Sequence, residues 1–186
     1  MAGVLKSFQF PLDFYADDVR DIVGTCIERY GELEWKIITL TNEIHGHLGI
    51  YSTLGAKMGL YAMELLQADD HISVLSFAGS QPPISCFNDG LQVSTGASLG
   101  HGLIGISDEA EKRAEAMFTC GKRSVRLRLK PQYENTVIAD IKEGVARYGN
   151  SPDYWLYVRS LALEYWRDWD RKEIFTELYR CPVFGD

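Results

Sequence analysis

From about Asp17 the apolar residues recur at spacings of three and four: Val19, Ile22, Val23, Cys26, Ile27 and Tyr30. This stripe predicts an amphipathic helix, with Gly31 as a suitable C-terminal stop. Leu33, Ile37, Leu40 and Ile44 extend a helical spacing, but the β-branched run Ile37-Ile38-Thr39 also fits a strand, so both readings of residues 32 to 44 stand. The next stripe, Tyr51, Leu54, Met58, Tyr61, Ala62 and Leu65, predicts a helix through Leu66. Gly55 and Gly59 inside it each cost about 1 kcal/mol relative to alanine, which points to close approach by another backbone. Residues 1 to 12 read as extended, and His71 to Phe77 as a short strand. Asp108 to Met117 reads as helix or helical turn.

Alternation then replaces the helical period. Val125, Leu127 and Leu129 interleave with Arg126, Arg128 and Lys130, the pattern of a half-buried strand. With Phe118 to Cys120 and the turn Gly121-Lys122 it predicts a β-hairpin. Two more helices close the chain, one marked by Val137, Ile138, Ile141 and Val145, the other opened by Ser151-Pro152-Asp153 and carrying Trp155, Val158, Ala162, Tyr165, Trp166 and Trp169. The expected fold is α+β, a small mixed sheet packed with helices, with a boundary near Tyr133: a mixed part over residues 1–133 and a helical part over 134–186, packed on the same core.

Composition narrows the classes. A chain of 186 residues with 46% hydrophobic and 24% charged residues has material for a core. Its net charge of −7 argues against a general nucleic-acid binder. No run approaches the about 18 apolar residues of a membrane helix, and the N-terminus lacks the apolar centre of a signal peptide. The cysteines, at 26, 86, 120 and 181, form no CxxC pair, and a reduced, cytoplasmic protein is the simpler expectation.

Candidate chemistry gathers in two stretches, His45-Gly46-His47-Leu48-Gly49 and Cys86 to Gly102. Two histidines at i and i+2 stand about 200° apart on a helix, so they share an ion only from a turn or an extended segment. Imidazole suits zinc, nickel, copper and iron, and Cys86 adds a thiolate that zinc accepts. The bland reading is that both histidines only cap the following helix. In the second stretch Asp89 and Gln92 share the face of a helical turn opened at Asn88, and His101 is a third candidate imidazole. Its bland reading is a compact loop whose polar groups satisfy one another. Ser94 and Ser98 lack a nucleophile-elbow setting, and the glycines match neither a Walker loop nor a dinucleotide fingerprint.

Together the stretches resemble the FmdE-like family of formylmethanofuran dehydrogenase proteins. Its first signature, H-G-H-x-C-P-G, appears as His45-Gly46-His47-Leu48-Gly49-Ile50-Tyr51. Its second appears as Cys86, Asp89, Gly90, Leu91, Gln92, Thr95, Gly96, Ala97, Ser98, Gly100 and His101. The chain departs from the pattern at Gly49, Ile50 and Ala97, which removes two thiols, and at His101, where relatives carry a basic or amide residue. The resemblance implies an intertwined homodimer with a metal-compatible site between the signatures. His45, His47 and Cys86 are the expected ligands, of zinc. Asp89, Gln92, Thr95, Ser98 and His101 line the site, which can take a small molecule. His101 either replaces a missing thiol as ligand or is a loop histidine bonded to backbone. The alternative from a different class is a non-catalytic accessory protein docked on a molybdenum or tungsten formylmethanofuran dehydrogenase-type redox enzyme.

Overall fold

The computed structural model describes residues 10–68 and 72–181. The expected extension over residues 1–9 and the position of His71 lie outside them. The described residues form six α-helices and a five-stranded mixed sheet: α1 (Asp17–His45), α2 (Ile50–Leu66), β1 (Ser73–Ser76), α3 (Phe87–Thr95), β2 (Ile104–Ile106), β3 (Glu115–Cys120), β4 (Arg123–Leu129), α4 (Pro131–Tyr148), α5 (Pro152–Asp168), α6 (Arg171–Ile174) and β5 (Phe175–Arg180). The strand order is β2-β1-β3-β4-β5, parallel between β1 and β2 and antiparallel elsewhere. None of the described helices is long and apolar enough to cross a membrane.

Helix α2 is the axis of the molecule. It packs on α1, α3, α5, α6 and β4, and nearly every residue from Ile50 to Leu60 is buried, so its stripe of apolar residues becomes an all-round core. Gly55 and Gly90 explain how α3 comes so close. A Cβ on Gly55 would lie 2.1 Å from the Phe87 carbonyl oxygen, and one on Gly90 would lie 2.2 Å from the Ser52 carbonyl oxygen. Gly59 makes room for a side chain instead, since its Cβ would meet Ser94 Oγ.

Four sequence expectations change. Gly31 breaks α1 (φ 86°, ψ 162°), but the helix resumes at once and runs to His45. The buried face beyond the break is Glu34, Trp35, Ile38, Thr41 and Asn42, while Leu33 and Ile44 are exposed. Polar residues win that face because they find partners there. Glu34 accepts from Lys57 Nζ at 2.6 Å and from Arg171 Nη1 at 2.6 Å, with Lys57 and Glu34 both shielded from solvent. Asp108 to Met117 is not helical: an irregular stretch leads into β3, because Arg113 gathers Glu109, Glu111 and Glu115 around its guanidinium. Among the described residues the last element is a strand rather than a helix. β5 pairs antiparallel with β4 and completes the sheet. The hairpin β3–β4 has the expected register, with Val125, Leu127 and Leu129 buried.

Candidate functional site

The turn between α1 and α2 is built by Asn42. Its side-chain amide donates to the Ile38 carbonyl at 2.9 Å and to Thr53 Oγ1 at 3.2 Å. Its carbonyl oxygen accepts from the Gly49 amide at 3.0 Å and from Ser52 Oγ at 2.8 Å. One buried side chain thereby ties the end of α1 to the start of α2. Gly46 turns the chain at the end of α1 with φ 84°, a conformation that costs glycine nothing. His45 closes the helix and His47 follows the turn, so the two rings meet with centroids 4.4 Å apart.

α3 brings the second stretch against them. Asp89 Oδ2 lies 2.7 Å from His45 Nδ1, and the His45 side chain is only 9% exposed. In a neutral ring the proton on Nδ1 then points at the carboxylate and Nε2 carries a free lone pair. That Nε2 is buried and has no hydrogen-bond partner among the described residues. Partial burial, and then the neighbouring His45, hold the His47 imidazole below its usual pKa, which keeps it neutral at pH 7. Burial, reinforced by Asp89, pushes the Cys86 thiol up.

His45, His47, Gly49 and Cys86 border a cavity of about 320 Å³. Its opposite wall comes from the C-terminal helices, through Ile141, Tyr154, Trp155 and Val158. Trp155 meets the His47 ring edge-on at 5.3 Å. Tyr51 also lines the space, and burial raises its phenol to about 12, so it remains a neutral hydrogen-bonding group. A Cβ on Gly49 would come 3.3 Å from His45 Nε2 and 2.7 Å from Ser52 Oγ, so a side chain there would crowd Ser52 out of its place.

The residues test the expected metal in two ways. The buried lone pair of His45, the carboxylate behind it and the adjacent neutral imidazole fit an ion. Yet among the described residues no three His, Cys, Asp or Glu side chains are already gathered to hold one. Cys86 shares the cavity without joining a cluster. The other expected lining residues serve the loop. Gln92 accepts from the Leu99 amide, Thr95 Oγ1 bonds Leu91 and Ala97, and Ser98 Oγ accepts from the His101 amide. His101 is exposed, with Nδ1 3.2 Å from the Gly96 carbonyl oxygen, and does not border the cavity. Reading the sequence for reactive groups missed Asn42, Tyr51 and the Trp155 wall. An asparagine on the apolar side of α1, just before the histidine pair, was the available signal for the first.

The family model described as "FmdE, Molybdenum formylmethanofuran dehydrogenase operon" matches residues 44–176. The match begins at the histidine turn and ends in β5, spanning both sides of Tyr133. No curated protein matches the chain. Among solved structures, a tungsten formylmethanofuran dehydrogenase FmdE-like protein from Syntrophus aciditrophicus has a similar fold, with a TM-score of 0.51 and 14% identity over 81% of this chain and 72% of that one.

Proposed function

Since the chain belongs to the FmdE family, we propose that it holds a transition-metal ion, zinc in the first instance, at the turn between α1 and α2. His45 Nε2 and the His47 imidazole are the first two ligands, and Cys86 is the third, recruited as thiolate when the ion arrives. The observation that carries this reading is the buried Nε2 of His45, without a partner among the described residues and backed by Asp89 on its other nitrogen. Burial keeps the Cys86 thiol protonated, and an ion would lower its pKa and release the proton.

When bound, the ion would supply Lewis acidity toward an oxygen of a molecule in the cavity. The chain's own groups orient such a molecule. Tyr51 offers a neutral phenol, Asp89 fixes the His45 ring, and Trp155 with Val158 supplies an apolar wall on one side.

Elemental analysis of purified parent and of the double variant His45→Ala/His47→Ala tests the site. The parent should retain metal through purification, and the variant should lose it while keeping its far-ultraviolet circular dichroism. Equal metal content in both would show that these histidines are not the ligands.

The family description favours a second reading, an accessory role in a formylmethanofuran dehydrogenase-type system. Co-elution with the molybdenum or tungsten components of such an enzyme would support it, and a cavity that takes a small molecule in the isolated chain would favour the first. For either role we propose a homodimer, supported by the exposed Ile138, Val145, Trp155 and Leu156 on α4 and α5. The thiols of Cys26 and Cys86 fit a reducing compartment such as the cytoplasm.

A further inference from the structure

Apolar groups wall the cavity beside the histidine turn. Ile50 comes from the start of α2, Pro82 and Pro83 from the segment before α3, and Ile141, Trp155 and Val158 from α4 and α5. Ile50 is 3% and Val158 8% exposed, so those walls belong to the core. Trp155 differs from them. It is 57% exposed, yet it borders the cavity, and two edge-on partners hold its ring, His47 at 5.3 Å and Tyr154 at 5.4 Å. An indole left this bare forgoes the gain of burial, and one already held in position loses little freedom when a molecule covers it.

Among the described residues that border the cavity, none is a lysine, arginine, aspartate or glutamate. Arg159 shares a neighbouring surface hollow with His47 and Trp155, but Asp18 engages it through two bonds of 2.6 and 2.8 Å. Asp89 is taken up by His45 Nδ1 at 2.7 Å. A carboxylate or an ammonium entering here would give up its hydration with no opposite charge from the walls in return. The Tyr51 phenol, the imidazoles and the Cys86 thiol can still meet a polar group of a guest. At about 320 Å³ the space is at the small end of ligand cavities, which run from about 300 to 1,000 Å³. It takes one ring with a short substituent.

We propose that the molecule taken at this centre is a neutral compound with a single-ring apolar body laid against Trp155 and one oxygen, of a hydroxyl or a carbonyl, turned toward the histidine pair. The proposal rests on the reading of this cavity as the place where the histidine turn takes a small molecule, and it adds the class. Sugars and carboxylates fall outside that class, because the walls offer them neither enough polar partners nor a positive charge. Trp155 is the residue that sets the preference. The class is therefore decided from α5, across the cavity from the ligating residues.

Benzyl alcohol is the probe, followed through the isoleucine methyl signals of the full chain as purified and again after chelation. Ile50→Val and Ile141→Val assign the two methyls that border the cavity. Both should move along one saturable curve in either preparation, whereas ethanol, the head without the ring, should not saturate at equal concentration. Trp155→Ala should raise the apparent Kd about three- to tenfold, and Trp155→Phe should restore most of it. Trp155 is exposed, so both variants keep the core. After chelation, benzoate should bind at least about tenfold more weakly than benzyl alcohol. The proposal is overturned if the two methyls do not saturate, if ethanol or benzoate binds equally well, or if Trp155→Ala leaves Kd unchanged. Saturation only in the metal-containing sample also overturns it, since the ion and not the walls would then hold the probe. Metal content of the same samples separates the two readings. A parent that holds metal but ignores benzyl alcohol loses this proposal alone. A chain that binds benzyl alcohol, and whose double variant His45→Ala/His47→Ala retains its metal, loses the metal reading alone.

Discussion

Asp89 decides what His45 can offer, because a ring nitrogen held by a carboxylate leaves the other free to ligate. Replacing Asp89 with alanine should weaken metal retention about 10- to 100-fold, with asparagine milder because its oxygen can still accept from Nδ1. Competition against a graded chelator measures this, and retention unchanged in Asp89→Ala would remove Asp89 from the site. Cys26, away from this centre, makes a separate test of burial. Desolvation in the core pushes its thiol from 9.0 to about 12. The unfolded chain loses that proton first, so the stabilising contribution is complete below pH 9.0 and fades as pH rises toward about 12. Between pH 9 and 10 Cys26 should add up to about 1.4 kcal/mol per pH unit to the fall in stability, beside the share of buried tyrosines such as Tyr51, whose unfolded phenols begin to ionise in the same range. Cys26→Ala should flatten that slope in urea titrations, and equal slopes would contradict the assignment. The histidine pair and Asp89 were legible in sequence because spacing and residue type carry them. Asn42 and Tyr51 were not, since each matters through partners that only the fold supplies.

At the scale of elements, the crossing of α2 and α3 is a backbone contact. Gly55→Ala would drive a methyl into the Phe87 carbonyl and should cost about 1–3 kcal/mol or more, with metal retention falling as Asp89 and Cys86 move away. Gly24→Ala is the matched control. It sits on the exposed face of α1 with nothing within 4 Å of the added carbon, and it should gain up to about 1 kcal/mol. Urea midpoints of the two variants check both signs, and a neutral Gly55→Ala would mean that the helices are not in contact there. This crossing was visible in sequence as a glycine in an apolar helix at Gly55, whereas Gly59, read the same way, makes room for the Ser94 side chain rather than for a backbone. The face of α1 beyond Gly31 was not, because apolar periodicity cannot register Glu34, which is buried through Lys57 and Arg171. Glu109 and Arg113 mimic a helical pair for a similar reason. Their i, i+4 spacing suits a helix, yet the arginine spends its donors on a fan of carboxylates leading into β3.

For the whole molecule, the C-terminal region lends one wall to the histidine cavity through α4 and α5 and an edge strand to the sheet through β5. Strand β5 escaped the sequence reading because only Phe175 of its residues is buried, leaving no alternation to detect. The apolar side chains left exposed on α4 and α5 should be covered by a second copy. Sedimentation at micromolar concentration should give about twice 21.0 kDa, and a monomer across the concentration range would exclude it. His47 borders two cavities, the one it shares with Cys86 and another that it shares with Trp166. A ring common to two chambers makes their occupants thermodynamic neighbours. Whatever tilts or pins the imidazole from one side alters the work of filling the other. Were both filled, the coupling would be a single free energy, so the factor by which an occupant of one chamber changes affinity in the other would be the same in both directions.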